Sequence, residues 1–212
     1  MSALASKPAA FLSAALAGEH GAPADPTAER ILDAALELSV ASGIRHLTID
    51  DVAARAGVGR MTVYRRLKDK AGLLNALAAR EGRRCLDELA AASDPEAPLA
   101  EQITEGFVAA LRIAREHPLL ARMSRHEPET FLESLIANDS AVFKMARAFA
   151  AARMSQAPDG LRGPEAEAAA EVLIRLTFSF VLISDTVLPL DDPARAREVA
   201  ARLLAPVARA RR

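Results

Sequence analysis

The segment from Thr48 to Gly72, TIDDVAARAGVGRMTVYRRLKDKAG, leaves little freedom in how it can fold. Thr48 is a natural helix N-cap, and Asp51 three residues on makes a capping box with Asp in the usual Glu place. Ile49, Val52, Ala53 and Ala56 recur at i, i+3, i+4 and i+7, so one face of a short helix is apolar. Gly57 follows at once and can take the left-handed conformation that stops a helix. A second short helix, about Gly59 to Leu67, carries Arg60, Thr62, Tyr64, Arg65 and Arg66, with Val58, Val63 and Leu67 left to face inward. Two short helices joined by a three- or four-residue turn containing Gly form a helix-turn-helix, which lays its second helix in the major groove of DNA.

Charge is distributed in the same sense. Between Arg45 and Arg84 there are ten Lys/Arg and four Asp/Glu, a net +6, while the chain as a whole is −1 and the remainder is therefore −7. Neutralising phosphates needs such a local patch rather than a basic protein.

A chain of 212 residues can bury a sizeable core in one or two domains. It is rich in Ala and Leu, with one Tyr and no Trp, a composition that favours helices over strands. The lone Cys85 cannot form an intramolecular disulfide, which fits a reducing cytoplasm and a structural thiol rather than a redox sensor. The four His are scattered, so no metal site is expected, and no cofactor either. Residues 8–17, PAAFLSAALA, mimic a signal peptide, but the basic lead is only Lys7 and Ser13 breaks a short apolar run. A cytoplasmic protein is expected, and residues 1–25 read as a flexible arm. The run from Val172 to Ile183 is too short to span a bilayer, so no membrane partner is expected. It belongs between helices or in a dimer interface.

The pattern predicts an all-α chain. Helices are expected at 26–42, at the two motif segments, at 70–92, 99–116, 118–124, 128–137, 139–156, 164–187 and 193–209. Breaks fall at Gly43, at Ser93–Pro98 and before Pro118, Pro128, Pro164 and Pro193. A helix-turn-helix domain over 26–79 and a second helical domain over 80–212 would meet within the long helix near Arg80.

With the preceding TAERILDAALELSVASGIRHLT, the motif resembles the tetracycline-repressor (TetR) family over residues 27–75. The resemblance rests on A-x-x-L-x-x-x-x-G, the capping Thr48, D-V-A-A-x-A-G-V, T-x-Y and K-x-x-L ending at Leu73. It implies an N-terminal three-helix DNA-binding domain and a C-terminal helical domain for ligand binding and dimerisation. It also implies a double-stranded DNA operator and a small-molecule inducer as partners. By the same resemblance, Thr48 and Tyr64 are phosphate ligands, Arg66 and Lys70 further backbone contacts, and Arg60, Met61 and Thr62 face the groove. Arg65 and Lys68 complete the basic set. Gly59 stands where a small polar residue is frequent, and Leu67 where Phe is usual. From the residues alone, other readings stay open: Tyr64 as a packing residue, one of Arg65 and Arg66 as a solvated charge, and Arg60 as a reader of guanine or a phosphate ligand.

In the second domain Phe107, Leu111, Phe131, Phe143, Phe149, Leu176, Phe178 and Phe180 either line a cavity or fill a core. Arg175, in an otherwise apolar helix, needs a partner: a ligand carboxylate, Glu171 one turn earlier, or an acid across a dimer. The expected function is a ligand-responsive regulator, a repressor released from a palindromic operator by an apolar or amphipathic molecule. The alternatives are a helical DNA-binding protein without inducer, and a helical enzyme. The enzyme is the weaker of these, because no nucleophile–base pair, metal motif or phosphate loop is present.

Overall fold

The computed structural model of the protein describes residues 25–136, 141–183 and 185–208. Within them the chain folds as α1 (Pro26–Ser42), α2 (Ile49–Ala56), α3 (Arg60–Leu67), α4 (Lys70–Ala91), α5 (Leu99–Glu116), α6 (Pro118–His126), α7 (Pro128–Ile136), α8 (Ala141–Gln156), α9 (Gly163–Leu182) and α10 (Pro193–Val199). The expected arm over 1–25 lies outside the described residues, save Asp25.

The punctuation acts as its chemistry dictates. Thr48 accepts a hydrogen bond from the Asp51 amide at 3.1 Å and donates to the Asp51 carboxylate at 2.6 Å. Gly57 closes α2 with φ +64° and ψ +37°. Asp25, Asp69 and Asp192 cap α1, α4 and α10, and His117 caps α6 ahead of Pro118. Gly59 offers α3 no side-chain cap.

Two boundaries differ from expectation by more than two residues. Helix α9 ends at Leu182, where packing runs out: Ile183 is 61 % and Val187 100 % exposed. After Val199 the last helix widens into a π-helical turn, Ala200–Leu204, and then a tight turn, Ala205–Ala208. Pro206 has no N–H for the Arg202 carbonyl and its ring crowds that carbonyl, so the ladder cannot continue in α form through it.

Two apolar cores result. One joins α5, α8, α9 and α10 through residues such as Phe107, Leu111, Met154, Leu173 and Leu204. The other gathers Ile31, Ala35, Val52, Val63, Leu73 and Leu77 from α1 to α4. It is completed by Leu119 and Met123 of α6 and Phe131 of α7. The motif helices are thus packed partly on residues far along the chain. Leu67 is half-buried against this core.

The corner between α3 and α4 is tight. Lys68 has φ +67° and ψ −61°, and the Asp69 amide bonds back to the Leu67 carbonyl at 2.8 Å. That is a γ-turn of the strained, positive-φ kind. A Cβ on Gly72 would lie 2.0 Å from the Leu67 carbonyl oxygen, so only glycine lets α4 start there. Gly57→Ala meets no neighbour and should cost about 1–2 kcal/mol through its left-handed backbone alone. Gly72→Ala should cost more, on the order of 1–3 kcal/mol from overpacking plus loss of the corner geometry. Urea unfolding of the two variants compares them; an equal or smaller loss for Gly72→Ala would show that the corner yields freely.

Candidate nucleic-acid interface and ligand cavity

Helix α3 turns Val63 inward and leaves Met61 76 % exposed. Residues are about 100° apart around a helix, which sets Met61 and Arg65 at the centre of the outer face. Thr62 and Arg66 flank it on one side, Arg60 and Tyr64 on the other. Thr48 is exposed at the start of α2, and Lys68 and Lys70 flank the corner before α4. The nine residues singled out for DNA thus lie along α3 and its two flanks.

Their charges are not all free. Arg60 lies 3.2 Å from Asp50, bonds to the Tyr64 hydroxyl at 3.3 Å, and stacks over the Tyr64 ring at 5.4 Å. The Tyr64 hydrogen bond, then the charge of Asp50, raise the Arg60 pKa above its ordinary value. Arg66 pairs with Asp25, the residue capping α1. Arg55 pairs with Glu37. Arg45 donates to Thr130 at 2.8 Å and lies 3.5 Å from Glu129, so α7 holds the α1–α2 loop. Lys70 donates to the Arg45 carbonyl at 3.0 Å. Arg80 is buried, 6 % exposed, against Glu29, Asp33 and Glu81. Arg65, Lys68 and Lys70 have no carboxylate within 4.0 Å among the described residues. The formal +6 therefore overstates the cations available to phosphate at once; these long-range pairs have no periodic signature that would have disclosed them.

Two family models match this architecture. One describes bacterial regulatory proteins of the tetR family and covers residues 31–77. The other describes the bacterial tetracyclin repressor C-terminal domain and covers residues 99–206. The chain belongs to the TetR family of DNA-binding transcriptional regulators. It is 46 % identical over 52 residues to the uncharacterized HTH-type regulator YvkB of Bacillus subtilis, covering 24 % of this chain and 28 % of that one. It is 42 % identical over 64 residues to the HTH-type regulator SrpR of Pseudomonas putida, covering 30 % of each. It thus spans under a third of the length of these curated relatives. In fold it is similar to the TetR family repressor AlkX from Dietzia, with a TM-score of 0.62, 22 % identity, and coverage of 88 % of this chain and 96 % of that one. It is likewise similar to GusR of Salmonella enterica, with a TM-score of 0.62, 18 % identity, and coverage of 88 % and 97 %.

In the C-terminal half of this TetR-family chain, a cavity of about 120 Å³ opens between α4, α5, α8 and α9. Ile103 and Phe107 of α5, Phe149 of α8 and Leu173 of α9 form apolar walls, with Leu89 of α4 at one end. Gln102, Arg153 and Thr177 are polar members of the lining. Of the residues singled out for a ligand, Phe107 and Phe149 line it. Leu111 is buried in the same core and borders separate surface clefts. Phe131 is buried in the other core. Leu176 packs on the first core from its edge. Phe143 and Phe178 pair at 6.2 Å between ring centroids.

Arg175 lies outside the cavity lining, 66 % exposed along its side chain. It donates to Glu171 at 2.6 Å and stacks over Phe143 at 4.9 Å. Arg175, then Arg147, hold the Glu171 carboxyl below its usual range. Of the three partners open to Arg175 in the sequence, the described structure supplies Glu171. Arg153, one turn after Phe149 and on the same face, went unnoticed because it carries no motif; its i, i+4 spacing from a cavity aromatic was the available signal.

Cys85 sits in α4 with its thiol pushed up to about 11, by burial first and then by Glu81 and Glu88. Almost no thiolate is present at neutral pH. Labelling by an aromatic disulfide reagent should be slow at pH 7.5 in the folded protein and fast in denaturant. Equal rates in the two states would mean that this thiol is accessible and ionised in the fold.

Proposed function

We propose that the protein is a homodimeric repressor acting in the cytoplasm. It holds a palindromic operator through α3 and its flanks, and leaves that operator when an apolar or amphipathic small molecule fills the cavity. The observation that carries this reading is the continuity of α4. One helix begins at Lys70, beside the end of α3, and reaches Leu89 in the cavity wall. A change at either end can reach the other without any loop between them. The division between DNA-binding and ligand-binding domains falls within this helix, near Arg80.

On DNA, Arg65, Lys68 and Lys70 meet phosphates directly. Arg60 and Arg66 exchange Asp50 and Asp25 for phosphate or a base edge. Met61 and Thr62 supply apolar and hydroxyl contact in the groove, and Thr48 and Tyr64 position the backbone. Three to five neutralised phosphates give a log–log salt slope of about −3 to −4.5 per protomer. Operator affinity measured across a salt series checks this, and a flat dependence would overturn the DNA reading. Lys68→Ala should weaken operator and random DNA alike. Arg60→Ala should cost ~1–3 kcal/mol at one base position, if its fork reads a guanine.

The dimer is built on α9 and the terminal turns, of which Ala205–Ala208 packs beside α9. On α9, Ala168, Val172, Arg175 and Ser179 form one exposed stripe. Val172 is 43 % and Leu203 48 % exposed, more apolar surface than a soluble face needs. Light scattering should give a dimer at micromolar concentration and a monomer for Val172→Glu. A native monomer would remove the two-fold geometry that a palindromic site requires.

A further inference from the structure

Among the described residues, four arginines are buried or half-buried: Arg80, Arg122, Arg147 and Arg153. Three of them lie beside carboxylates: Arg80 has Glu29, Asp33 and Glu81, Arg122 has Glu127, and Arg147 has Glu171. Arg153 has none. Its Nη2 donates to the Ser93 carbonyl at 3.2 Å and the Ser93 hydroxyl at 3.0 Å, both neutral acceptors. It is also the one charged residue in the lining of the apolar cavity. A half-buried guanidinium with neutral partners beside an apolar hollow lacks the anion that most stabilises it.

We infer that the cavity takes a small monocarboxylate, with its carboxylate on Arg153 and its apolar body among Ile103, Phe107, Phe149 and Leu173. This rests on the ligand-release reading above and names the ligand's chemical class. The planar fork of Arg matches a carboxylate through two parallel hydrogen bonds. A second negative charge on the ligand would find no second cation in the lining and would stay buried and unpaired. A polyol would leave most of its hydroxyls unsatisfied against Phe and Leu walls. A cavity of ~150 Å³ holds a benzene molecule. The space of about 120 Å³ here is somewhat smaller, so it admits at most one aromatic ring or a short alkyl chain.

The same arginine offers a route to DNA. Ser93 lies two residues past Ala91, the last residue of α4, and Leu89 of α4 lines the cavity. A carboxylate that takes the Nη2 donor of Arg153 displaces Ser93 and releases the far end of α4. The ligand thereby favours whichever placement of α4 does not need the Arg153–Ser93 tie. The near end of that helix carries Lys70 and the Gly72 corner that set the angle of α3.

Calorimetric titration of the full-length protein tests the inference with benzoate and hexanoate as probes. Benzyl alcohol, hexan-1-ol and hexylamine share their apolar bodies and serve as controls. The carboxylates should bind at least about tenfold tighter than the alcohols, as a charge-assisted pair requires, and the amine not at all. Arg153→Gln should lose that preference while keeping the alcohol affinity, which reports an intact cavity. Arg153→Lys should recover part of it. Alcohols binding as well as carboxylates, no binding of any probe to the folded protein, or carboxylate affinity untouched in Arg153→Gln would each overturn the proposal. Operator affinity with and without bound carboxylate is read separately. Carboxylate binding through Arg153 that leaves operator affinity unchanged would uphold the site and overturn the release mechanism.

Discussion

A buried ionic node at Arg80 and Glu81 holds the two halves of this molecule in register. Arg80 is 6 % exposed and Glu81 5 %. Arg80 reaches Glu29 and Asp33 on α1 and donates to Glu81 at 2.8 Å. Burial works against its charge, but hydrogen bonds to Glu81, Asp33 and Glu29, with the charge of Glu81, raise its pKa above the ordinary value. Glu81 in turn meets Arg84 at 3.1 Å and His117 at 3.2 Å. The His117 Nδ1 accepts the Leu120 amide at the start of α6, which leaves Nε2 to carry the hydrogen toward Glu81. One cluster therefore ties α1, α4 and α6 together. Arg80 and Glu81 are the buried pair of this cluster, and breaking a comparable pair by removing one partner costs about 3–5 kcal/mol. The geometric specificity of this node gives α4 a fixed seat against the motif helices.

That seat gives the flanking ion pairs their meaning. Arg45, Arg55, Arg60 and Arg66 are held in a DNA-free arrangement by Glu129, Glu37, Asp50 and Asp25. Each exposed pair is individually weak, and phosphate can replace its carboxylate at little net cost. The arrangement keeps long side chains ordered near the places where a DNA backbone would lie. Arg45 and Lys70 differ from the rest: they join the α1–α2 loop to α7 and to α4. They brace the α1–α2 loop, and the Lys70 ammonium keeps further hydrogens for phosphate beside that bond.

Local chemistry made much of this legible from the sequence. Thr48, Gly57, Asp69 and Pro118 punctuate the chain through their own backbone and capping preferences, so most helix ends follow the pattern. The end of α9 did not, because it depends on where packing stops rather than on a breaker. The π-helical turn before Pro206 has no signature in the apolar periodicity, which continues through that proline. The residues proposed to face DNA form a local sequence pattern, because they share one short helix and its flanks. The cavity was only partly so. Phe107 and Phe149 line it, whereas Leu111, Phe131, Phe143, Leu176 and Phe178 have other neighbours. Which aromatic faces a hollow depends on how helices distant in sequence pack, and composition carries no record of that.

The central claim is that α4 transmits the state of the cavity to the spacing of two α3 helices in a dimer. The most direct test is a pulsed electron–electron distance measurement between spin labels at Asn75→Cys, an exposed position near the start of α4 outside the proposed DNA contacts, in a Cys85→Ser background. On operator DNA the two labels should report recognition helices about one DNA turn apart, ~34–36 Å between their centres. Adding a carboxylate that fills the cavity should move and broaden that distribution as the DNA is released. DNA release by the ligand with the inter-label distance unchanged would contradict the account.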